Sequence, residues 1–413
     1  MSITYYIPDW DDRVDPEYDF TNDRHKPGRD PYKDDRYAHE LFAPEPPYDG
    51  VLLSRAVIDD SPAKHRAIIE AQSVHAYLRL PEHHKVLGDC GAFTYWQAEE
   101  PPYKTDEILD YYQQLGFDIG VSIDHLIFAE LEDEKERRWN ITVENAREFL
   151  RLYRLRRPSY RFTPVGVAQG WSPGSYAKAA RELIKMGYDH IAAGGLVRSS
   201  TRDVIAVLRA IQAVQEEEQS KVPLHLFGVN RPEFIETFAA LGVTSFDSAS
   251  RLRRAWMDGR RNYFFGDVSF SAIRIPEART LAKKRDLDEA EVRPLEQAAL
   301  SALRAYAGYQ CSLEGTLAAV LAYASLAGEV RERTRRDYWA TLAARPWEHC
   351  PCAICGQIGI DVIIFRGNNR NRRRGFHNTW HLYQQLKGVR HELAVPRQDA
   401  PAGAAQTALS LWP

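Results

Sequence analysis

The sequence lacks several features that would place it in other classes of protein. Its 413 residues include only 5 cysteines, too few for a disulfide framework in a chain of this length. The longest apolar stretch, from Thr316 to Gly328, is too short to cross a bilayer and is typical of a buried helix. No basic stretch followed by an apolar one opens the chain, so we find no secretory signal. We expect a soluble, cytoplasmic protein without membrane contact.

A strong net charge is also missing. The 54 Lys and Arg residues nearly balance 57 Asp and Glu residues, and hydrophobic residues make up 44% of the chain. These values are usual for globular domains, so disorder and collagen are excluded as descriptions of the whole chain. Acidic residues concentrate near the N-terminus and basic ones in later clusters, so the electrostatic field is predicted to be segregated.

Short apolar runs alternate with longer amphipathic stretches from residue 50 onward. Seven such runs precede an eighth candidate near 263–275. Buried strands separated by helices predict a parallel α/β fold, and the count favours a (β/α)8 TIM barrel over a doubly wound sheet. A barrel would also bring polar residues near the ends of different strands into one pocket, whereas an open sheet would spread them along a crevice. These residues are Asp89, Asp124, Gln169, Gly195 and Asp247.

Composition divides the chain into five predicted segments. They are an extended acidic N-terminal arm (1–47), the catalytic barrel (48–286), a helical insertion (287–345), a zinc-binding subdomain that closes the barrel (346–393) and a flexible tail (394–413). The arm is rich in Asp, Tyr and Pro and shows neither helical nor strand periodicity.

Three cysteines form the strongest local signal. Cys350, Cys352 and Cys355 are followed by His377 and His381. Three thiolates and one imidazole fill the tetrahedral site that structural zinc prefers, with either histidine as the fourth ligand. Reduced thiols without metal are the alternative interpretation, although free thiols this close are an oxidation liability. A closed site of this kind would stabilise the fold and would not activate water.

Two groups of polar residues indicate chemistry on a nucleoside. Asp89 and Asp247 could divide nucleophilic attack and proton transfer at a sugar carbon, although an Asp at a strand end caps a helix about as often. Asp124, Gln169 and the backbone at Gly194 and Gly195 offer the acceptors and donors that a purine edge requires. Glycines in a tight turn would explain the last two equally well.

Arginine clusters are the third signal. They lie at 151–161, 251–261, 331–336 and 366–374. Such clusters suit phosphate contact, and a solvated, salt-bridged surface is the alternative for any one of them. The cluster at 366–374 is the most suggestive because Asn and Gly are interleaved with its arginines. The residues predicted to bind nucleic acid are Arg251, Arg253, Arg254, Arg370, Arg372 and Arg373.

The motifs together resemble the guanine transglycosylases, (β/α)8 enzymes that exchange guanine for a 7-deazaguanine in nucleic acid. Six motifs similar to those of that family occur in the family's order between Gly88 and Leu382. They are GDCGAF, VSIDHL, VAQGW, AAGGLV, SFDSASRLRR and CPCAIC with FHNTW. The resemblance implies that Asp247 is the nucleophile and Asp89 the general base of a ping-pong reaction through a covalent intermediate. It also implies that Asp124, Gln169, Gly194, Gly195 and Phe93 bind the purine, and that His377 completes the zinc site.

Two departures from the compact tRNA enzymes narrow the expected substrate. In the bacterial tRNA enzymes, an acidic residue follows the Gly-Gly-Leu loop and favours a substrate with an aminomethyl group. In this chain, Arg198 and hydroxyl groups follow the loop instead. This difference points to a substrate with a neutral 7-substituent, such as the nitrile of 7-cyano-7-deazaguanine (preQ0). The helical block at 287–345 is most similar to the branch of the family that acts on DNA. We therefore expect guanine exchange in DNA within a modification and restriction system, with accessory proteins. A tRNA-guanine transglycosylase and a non-catalytic nucleic-acid-binding paralogue are the alternatives, and a homodimer is plausible from the resemblance.

Overall fold

The computed structural model describes residues 3–389, except for the side chains of residues 129, 131, 132 and 157. The predicted tail, 394–413, lies outside the described residues. The chain divides into two compact units. One contains Met1–Asp11 with Tyr48–Ala249, and the other contains Asp12–Pro47 with Ser250–Pro413.

The first unit is a closed barrel of eight parallel strands, which confirms the predicted (β/α)8 fold. Each strand pairs with its neighbours in chain order, and β1 pairs with both β2 and β8. The strands are β1 (Thr4–Pro8), β2 (Gly50–Ser54), β3 (Lys85–Asp89), β4 (Ile119–Val121), β5 (Thr163–Ala168), β6 (Ile191–Ala193), β7 (Leu224–Leu226) and β8 (Val243–Asp247).

The predicted limits of the barrel were wrong at both ends. Its first strand is β1, inside the segment that we expected to be an arm, and 263–275 supplies no barrel strand. Tyr6 of β1 pairs with Gly50 on one side and with Asp247 on the other. The strand was missed because its apolar surface comes mainly from tyrosines and its chain neighbours are rich in Asp and Pro, so burial becomes evident only when the barrel closes.

Apolar side chains of the strands fill the barrel, and the helices lie between consecutive strands. The core cluster contains Tyr6, Leu52, Leu87, Ile119, Val121, Val165, Val167 and Ala192. Numbered along the chain after α1 (Ala38–Leu41), which belongs to the second unit, the helices are α2 (Arg55–Asp59), α3 (Pro62–Ala71), α4 (Val74–Leu78), α5 (Thr105–Leu115), α6 (Lys135–Arg156), α7 (Pro173–Met186), α8 (Thr201–Glu217) and α9 (Ile235–Ala240). Short 3-10 turns span Ala129–Glu134, Arg157–Ser159 and Pro232–Phe234.

Local sequence signals explain where the helices begin and end. The Ser172 side chain accepts a hydrogen bond from the Ser175 amide at the start of α7, and Pro173 occupies its first turn. Gly187 ends the same helix with a φ of 87°, a conformation that costs glycine little. The Ser200 side chain caps α8 in the same way through the amide of Asp203.

The second unit is mainly helical, as predicted for 287–345. Its helices after α1 are α10 (Ser250–Met257), α11 (Ala278–Arg285), α12 (Glu289–Ala307), α13 (Leu313–Ser325), α14 (Glu332–Ala344), α15 (Pro346–His349), α16 (Ala353–Ile358) and α17 (Gly367–Leu386), with a 3-10 turn at Gly359–Ile363. Two small sheets join β9 (Tyr263–Phe265) to β10 (Val268–Phe270) and β11 (Ile273–Arg274) to β12 (Ile364–Phe365). No helix in the described range combines the length and apolarity that a membrane span requires.

Residues 12–47 are part of this second unit and are not the extended arm that we predicted. Val14 and Arg36 form an antiparallel bridge. The Asp23 carboxylate pairs with Arg366 and Arg370 of the α17 region. Asp23 therefore supplies the negative charge for two buried arginines, whose charges would be costly to bury without a partner.

Candidate active site and metal centre

The polar residues singled out in the sequence lie at the carboxyl ends of the barrel strands. Asp89 and Asp247 are the last residues of β3 and β8, and Gln169 and Gly194 directly follow β5 and β6. Ligand atoms of Asp89, Cys90 and Asp124 all lie within 4.8 Å of one another. The barrel therefore brings these strand ends into one cluster.

The Asp124 carboxylate is buried and receives a hydrogen bond on each oxygen. Gln169 Nε2 donates to Oδ2 over 2.6 Å, and the Cys90 thiol donates to Oδ1 over 3.3 Å. Burial raises the pKa of this carboxyl, while both donors act in the opposite direction. Each oxygen can accept a further hydrogen bond, so Asp124 can still bind a donor from a ligand.

The Gln169 amide explains the paired glycines after β6. A Cβ atom at Gly194 would lie 2.4 Å from Gln169 Nε2, and one at Gly195 would lie 2.6 Å from Gln169 Oε1. Gly195 also has a φ of 77°, which disfavours other residues. Gln169 is fully buried, and within the described residues its Oε1 has no hydrogen-bond partner. Such an acceptor is costly to bury unless a ligand satisfies it.

Tyr95 and Cys90 support Asp124 from the β3 side. The Tyr95 hydroxyl donates to the backbone oxygen of Asp124 over 3.0 Å and lies 2.9 Å from the Cys90 sulfur. Burial raises the pKa of the Cys90 thiol, with the neighbouring carboxylates adding to this effect. Cys90 therefore stays protonated and acts as a hydrogen-bond donor, not as a nucleophile.

The Asp247 carboxylate is held through one of its oxygens. Oδ1 accepts a hydrogen bond from the Gly228 amide over 2.9 Å and lies 3.3 Å from His225 Nε2. Among the described residues, no hydrogen-bond donor contacts Oδ2 of Asp247. Gly228 has a φ of 69°, and a Cβ atom there would lie 2.4 Å from Val197 Cγ2. This arrangement orients the carboxylate and leaves Oδ2 available to react.

His225 was missed in the sequence. It lies on β7 opposite Ser245 of β8, and its Nδ1 is 2.9 Å from the Ser245 hydroxyl. Because a carboxylate only accepts hydrogen bonds, Nε2 is the donor to Asp247, which leaves Nδ1 to pair with the Ser245 hydroxyl. The available signal was a polar residue inside the apolar run PLHLFGV, although its partner could not be read from the sequence.

Asp89 is the carboxyl whose pKa changes most in this cluster. Burial raises its pKa to about 8, with further contributions from the charges of Asp124 and Asp247. The Gly91 amide partly opposes the shift by donating to Oδ2 over 3.1 Å. Asp89 is therefore largely protonated at neutral pH and can both give and take a proton.

Phe93, the aromatic residue predicted to contact the base, lies four residues beyond β3. Its side chain is 52% exposed, and its ring centre lies 6.1 Å from that of Phe128. An exposed ring beside the pocket residues can stack on a planar ligand. The structure keeps Phe93 on the same loop as Cys90.

The predicted metal ligands form a second buried cluster, in the helical unit. The ligand atoms of Cys350, Cys352, Cys355 and His377 lie within 4.8 Å of one another. His377 Nδ1 is 3.6, 3.3 and 3.3 Å from the three sulfurs in chain order. Zinc bond lengths and tetrahedral angles give a sulfur–nitrogen separation of about 3.5 Å, so these residues can hold a metal ion.

The structure also distinguishes the two candidate histidines. The Phe264 carbonyl accepts a hydrogen bond from His377 Nε2 over 2.6 Å, which leaves the Nδ1 lone pair directed at the sulfurs. His381 Nε2 lies 3.3 Å from the Cys350 sulfur, and its Nδ1 accepts from the Gly266 amide, so this second ring nitrogen is already engaged. The geometry therefore favours His377 as the fourth ligand.

Two of the three α17 arginines that we predicted to bind nucleic acid are enclosed by other parts of the chain. Arg370 and Arg373 are buried. Arg370 pairs with Asp23 and Asp361, and Arg373 donates to the backbone oxygen of Asp15. The prediction was therefore wrong for Arg370 and Arg373, because acidic and carbonyl groups distant in the sequence enclose them.

The other predicted arginines differ in exposure. Arg372 keeps 31% of its side chain exposed and donates to the Arg13 carbonyl. Arg251 lies over the Phe264 ring at 3.8 Å, Arg253 is half-buried, and Arg254 is exposed. Contact of these four with nucleic acid stays a prediction.

Carboxylates gathered at the carboxyl ends of a (β/α)8 barrel are typical of an enzyme active site, and paired carboxylates are suited to chemistry at a glycosidic carbon. The profile of the queuine tRNA-ribosyltransferase family matches residues 61–290. A DNA-guanine transglycosylase from Salmonella montevideo is 39% identical, over 93% of this chain and 97% of that protein. The chain therefore belongs to the queuine tRNA-ribosyltransferase family, and the resemblance to guanine transglycosylases is confirmed.

Archaeal relatives match a smaller part of the chain. The tRNA-guanine(15) transglycosylase of Pyrobaculum aerophilum is 32% identical over 40% of this chain and 33% of that protein. The corresponding protein of Methanocaldococcus jannaschii is 26% identical over 48% of this chain and 30% of that protein. The chain thus spans about a third of these relatives.

Proposed function

We propose that the protein is a DNA guanine transglycosylase that replaces guanine in DNA with 7-cyano-7-deazaguanine, as one component of a DNA modification and restriction system. The observation that carries the chemistry is that Asp124 and Asp247 lie close enough to Asp89 to raise its pKa, with the buried Gln169 bonded to Asp124. The near full-length similarity to a DNA-guanine transglycosylase supports DNA as the substrate.

The first half-reaction uses the orientation of Asp247. Oδ2 attacks C1′ of the target nucleotide, the bond from C1′ to guanine N9 breaks, and an ester between Asp247 and the sugar forms. The departing guanine needs a proton, which Asp89 can supply because its pKa is raised to about 8. The target base must leave its stack to enter the pocket.

The second half-reaction reverses these roles. Asp89, now ionised, removes the N9 proton of the incoming 7-cyano-7-deazaguanine, whose nitrogen attacks C1′ and displaces Asp247. Two inversions retain the configuration at C1′. The shifted pKa of Asp89 suits both directions of transfer, since acid and base forms are both accessible near neutral pH.

The purine would be recognised through Asp124 and Gln169. The carboxylate can accept the N1–H and the exocyclic amino group of guanine. The Gln169 amide and the Gly195 backbone border the same space, with Phe93 able to stack on the ring. A guanine or 7-deazaguanine satisfies these groups, whereas adenine would present an acceptor at N1 to the Asp124 carboxylate.

We also assign Zn²⁺ to the cluster of three cysteines and His377. Thiolate and imidazole donors with separations close to a tetrahedral set fit this ion. Four protein ligands leave no open position, so the ion would stabilise the fold around α16 and α17 and take no part in the transfer.

Nucleoside analysis tests the proposal. Purified protein is incubated with 7-cyano-7-deazaguanine and either plasmid DNA or unmodified tRNA, and the digested nucleosides are identified by mass. We expect the deazaguanine nucleoside in DNA with wild-type protein and its loss with Asp247→Ala. Asp60→Ala, at an exposed carboxylate of the same unit, is the matched control.

Each other outcome has a defined meaning. Product in tRNA alone would retain the chemistry and reject DNA as the substrate. Product in neither, together with no denaturation-resistant adduct between protein and nucleic acid, would favour a binding paralogue. Product that survives Asp247→Ala would reject the assigned nucleophile.

A further inference from the structure

The first turns of α14 and the exposed side of α11 carry a concentration of basic residues that the active site does not use. We call this set the cationic face. In 279–286 and 329–336, eight basic residues face only three acidic ones, Asp286, Glu329 and Glu332. The basic side chains are all exposed, and they are Arg279, Lys283, Lys284, Arg285, Arg331, Arg333, Arg335 and Arg336.

A hydrogen bond shows that the two basic segments are close together. Arg285 at the end of α11 donates to the carbonyl of Ala327, in the connection between α13 and α14. A Cβ atom at Gly328 would lie 3.8 Å from the Arg285 guanidinium. The end of α11 therefore lies beside the segment that leads into α14.

Most of these cations have no partner within the described part of the chain. Arg335 lies 3.7 Å from Glu332, and Arg285 binds the Ala327 carbonyl. No ion pair or hydrogen bond involves the other six side chains among residues 3–389. By contrast, Arg370 of α17 binds two carboxylates and is buried. The cationic face thus keeps its charge available.

The positions in α14 are also unfavourable for the helix itself. Arg333, Arg335 and Arg336 lie in its first two turns, where the helix dipole favours acidic side chains. Like charges at neighbouring positions repel one another further. Fold stability therefore does not explain the cluster, and a bound polyanion would offset its cost.

We propose that the cationic face binds the phosphodiester backbone of the substrate DNA. This assignment rests on the proposed function, which makes DNA the substrate. Unpaired Lys and Arg side chains on two adjacent helical segments match a line of phosphates in charge and give affinity without reading sequence. The face takes the role that we had assigned to the buried arginines of α17.

Binding of a fluorescently labelled duplex at several salt concentrations tests the proposal. The face variant combines Lys283→Gln, Lys284→Gln, Arg333→Gln and Arg336→Gln. The control variant removes the same number of charges from exposed positions of the barrel unit outside the arginine clusters, by Arg66→Gln, Lys185→Gln, Arg209→Gln and Lys221→Gln. Thermal unfolding of both proteins verifies that they fold.

We expect the face variant to bind at least about 10-fold more weakly than wild type near 0.1 M salt. The slope of log affinity against log salt should become shallower by about 3 to 4. The control variant should bind like wild type. In the exchange assay, the face variant should require more DNA for half-maximal rate but reach a similar rate at saturation.

Other results overturn the assignment in distinguishable ways. If wild type modifies DNA and the face variant binds like wild type, the proposed function stands and the cationic face is rejected. Equal weakening in both variants would indicate a general effect of net charge and would also reject it. If wild type modifies only tRNA and the face variant loses tRNA affinity, DNA is wrong as the occupant and as the substrate.

Discussion

Each unit of the protein buries a group of side chains that can carry negative charge, and the two groups are organised differently. In the barrel, Asp89, Asp124 and Asp247 lie together, and the pKa of Asp89 is raised to about 8. In the helical unit, three cysteines surround His377 Nδ1 at 3.3–3.6 Å. The first group can reduce its repulsion by keeping a proton, whereas the second has the geometry to bind a cation.

The difference between the two groups indicates that the carboxyl groups serve the reaction and that the metal ligands serve stability. Because a proton can leave and return, the carboxyl groups stay able to react. Atoms without a hydrogen-bond partner among the described residues, such as Gln169 Oε1, can bind a ligand. A metal ion bound by four protein ligands is closed to substrate and holds distant segments together. The predictions below test this contrast, from the largest expected effect to the smallest.

Loss of the metal should have the largest effect on stability. We expect Cys352→Ala to abolish one equivalent of bound zinc and to unfold the helical unit or lower its melting temperature by more than about 10 °C, since structural zinc contributes on the order of 10 kcal/mol in small domains. Metal analysis and calorimetry would measure both effects. Cys311→Ala, outside the cluster, is the control. An unchanged metal content would contradict the assigned ligands.

Replacement of the nucleophile should strongly lower activity without lowering stability, whereas loss of the metal should mainly lower stability. Asp247→Asn should lower the exchange rate by about 10⁴-fold or more. Stability should stay equal or rise, because the substitution removes a charge that acts on Asp89. Single-turnover exchange and urea unfolding would give the two quantities. Strong destabilisation with partial activity would mean that Asp247 is structural.

His225 should affect the rate and leave DNA binding nearly unchanged. His225→Phe keeps an aromatic ring and removes the donor to Asp247, so we expect adduct formation to slow by about 10- to 100-fold, the worth of a hydrogen bond to a charged group. His225→Gln can return a donor and should recover much of the rate. The rate of adduct formation would be measured by quenching the reaction at successive times and quantifying the covalent adduct. If the Phe variant reacts like wild type, His225 only fills space.

At acidic pH, replacement of Asp89 should have the smallest effect of the four, because the carboxyl is then protonated in both the folded and the unfolded state; its effect should appear in the dependence of stability on pH. Its folded pKa of about 8 lies above the 3.8 of the free group, so the folded state retains the proton as the pH rises. This contribution to stability is fully present below about pH 4 and is lost progressively up to about pH 8. Asp89→Asn should flatten that decline in urea unfolding, whereas Asp60→Asn should not. Parallel curves for all three proteins would contradict the raised pKa.

The sequence was sufficient for the fold class and for most of the candidate site. Apolar runs separated by amphipathic stretches predicted the parallel barrel, and seven of the eight strands were found at those runs. Asp89, Gln169 and Asp247 could be selected because a parallel barrel places every strand end at one mouth. Close spacing in the chain brought the three cysteines together irrespective of the rest of the fold.

Tertiary structure decided what depends on partners distant in the chain. The first strand became recognisable only through its pairing with β2 and β8. The resemblance implied His377 as the fourth ligand, and the Phe264 carbonyl supplied the physical reason to prefer it over His381. Arg370 and Asp23 are 347 residues apart in the sequence. Local patterns show which residues carry charge, but burial, pKa and exposure are set by the groups that folding brings to within a few ångströms.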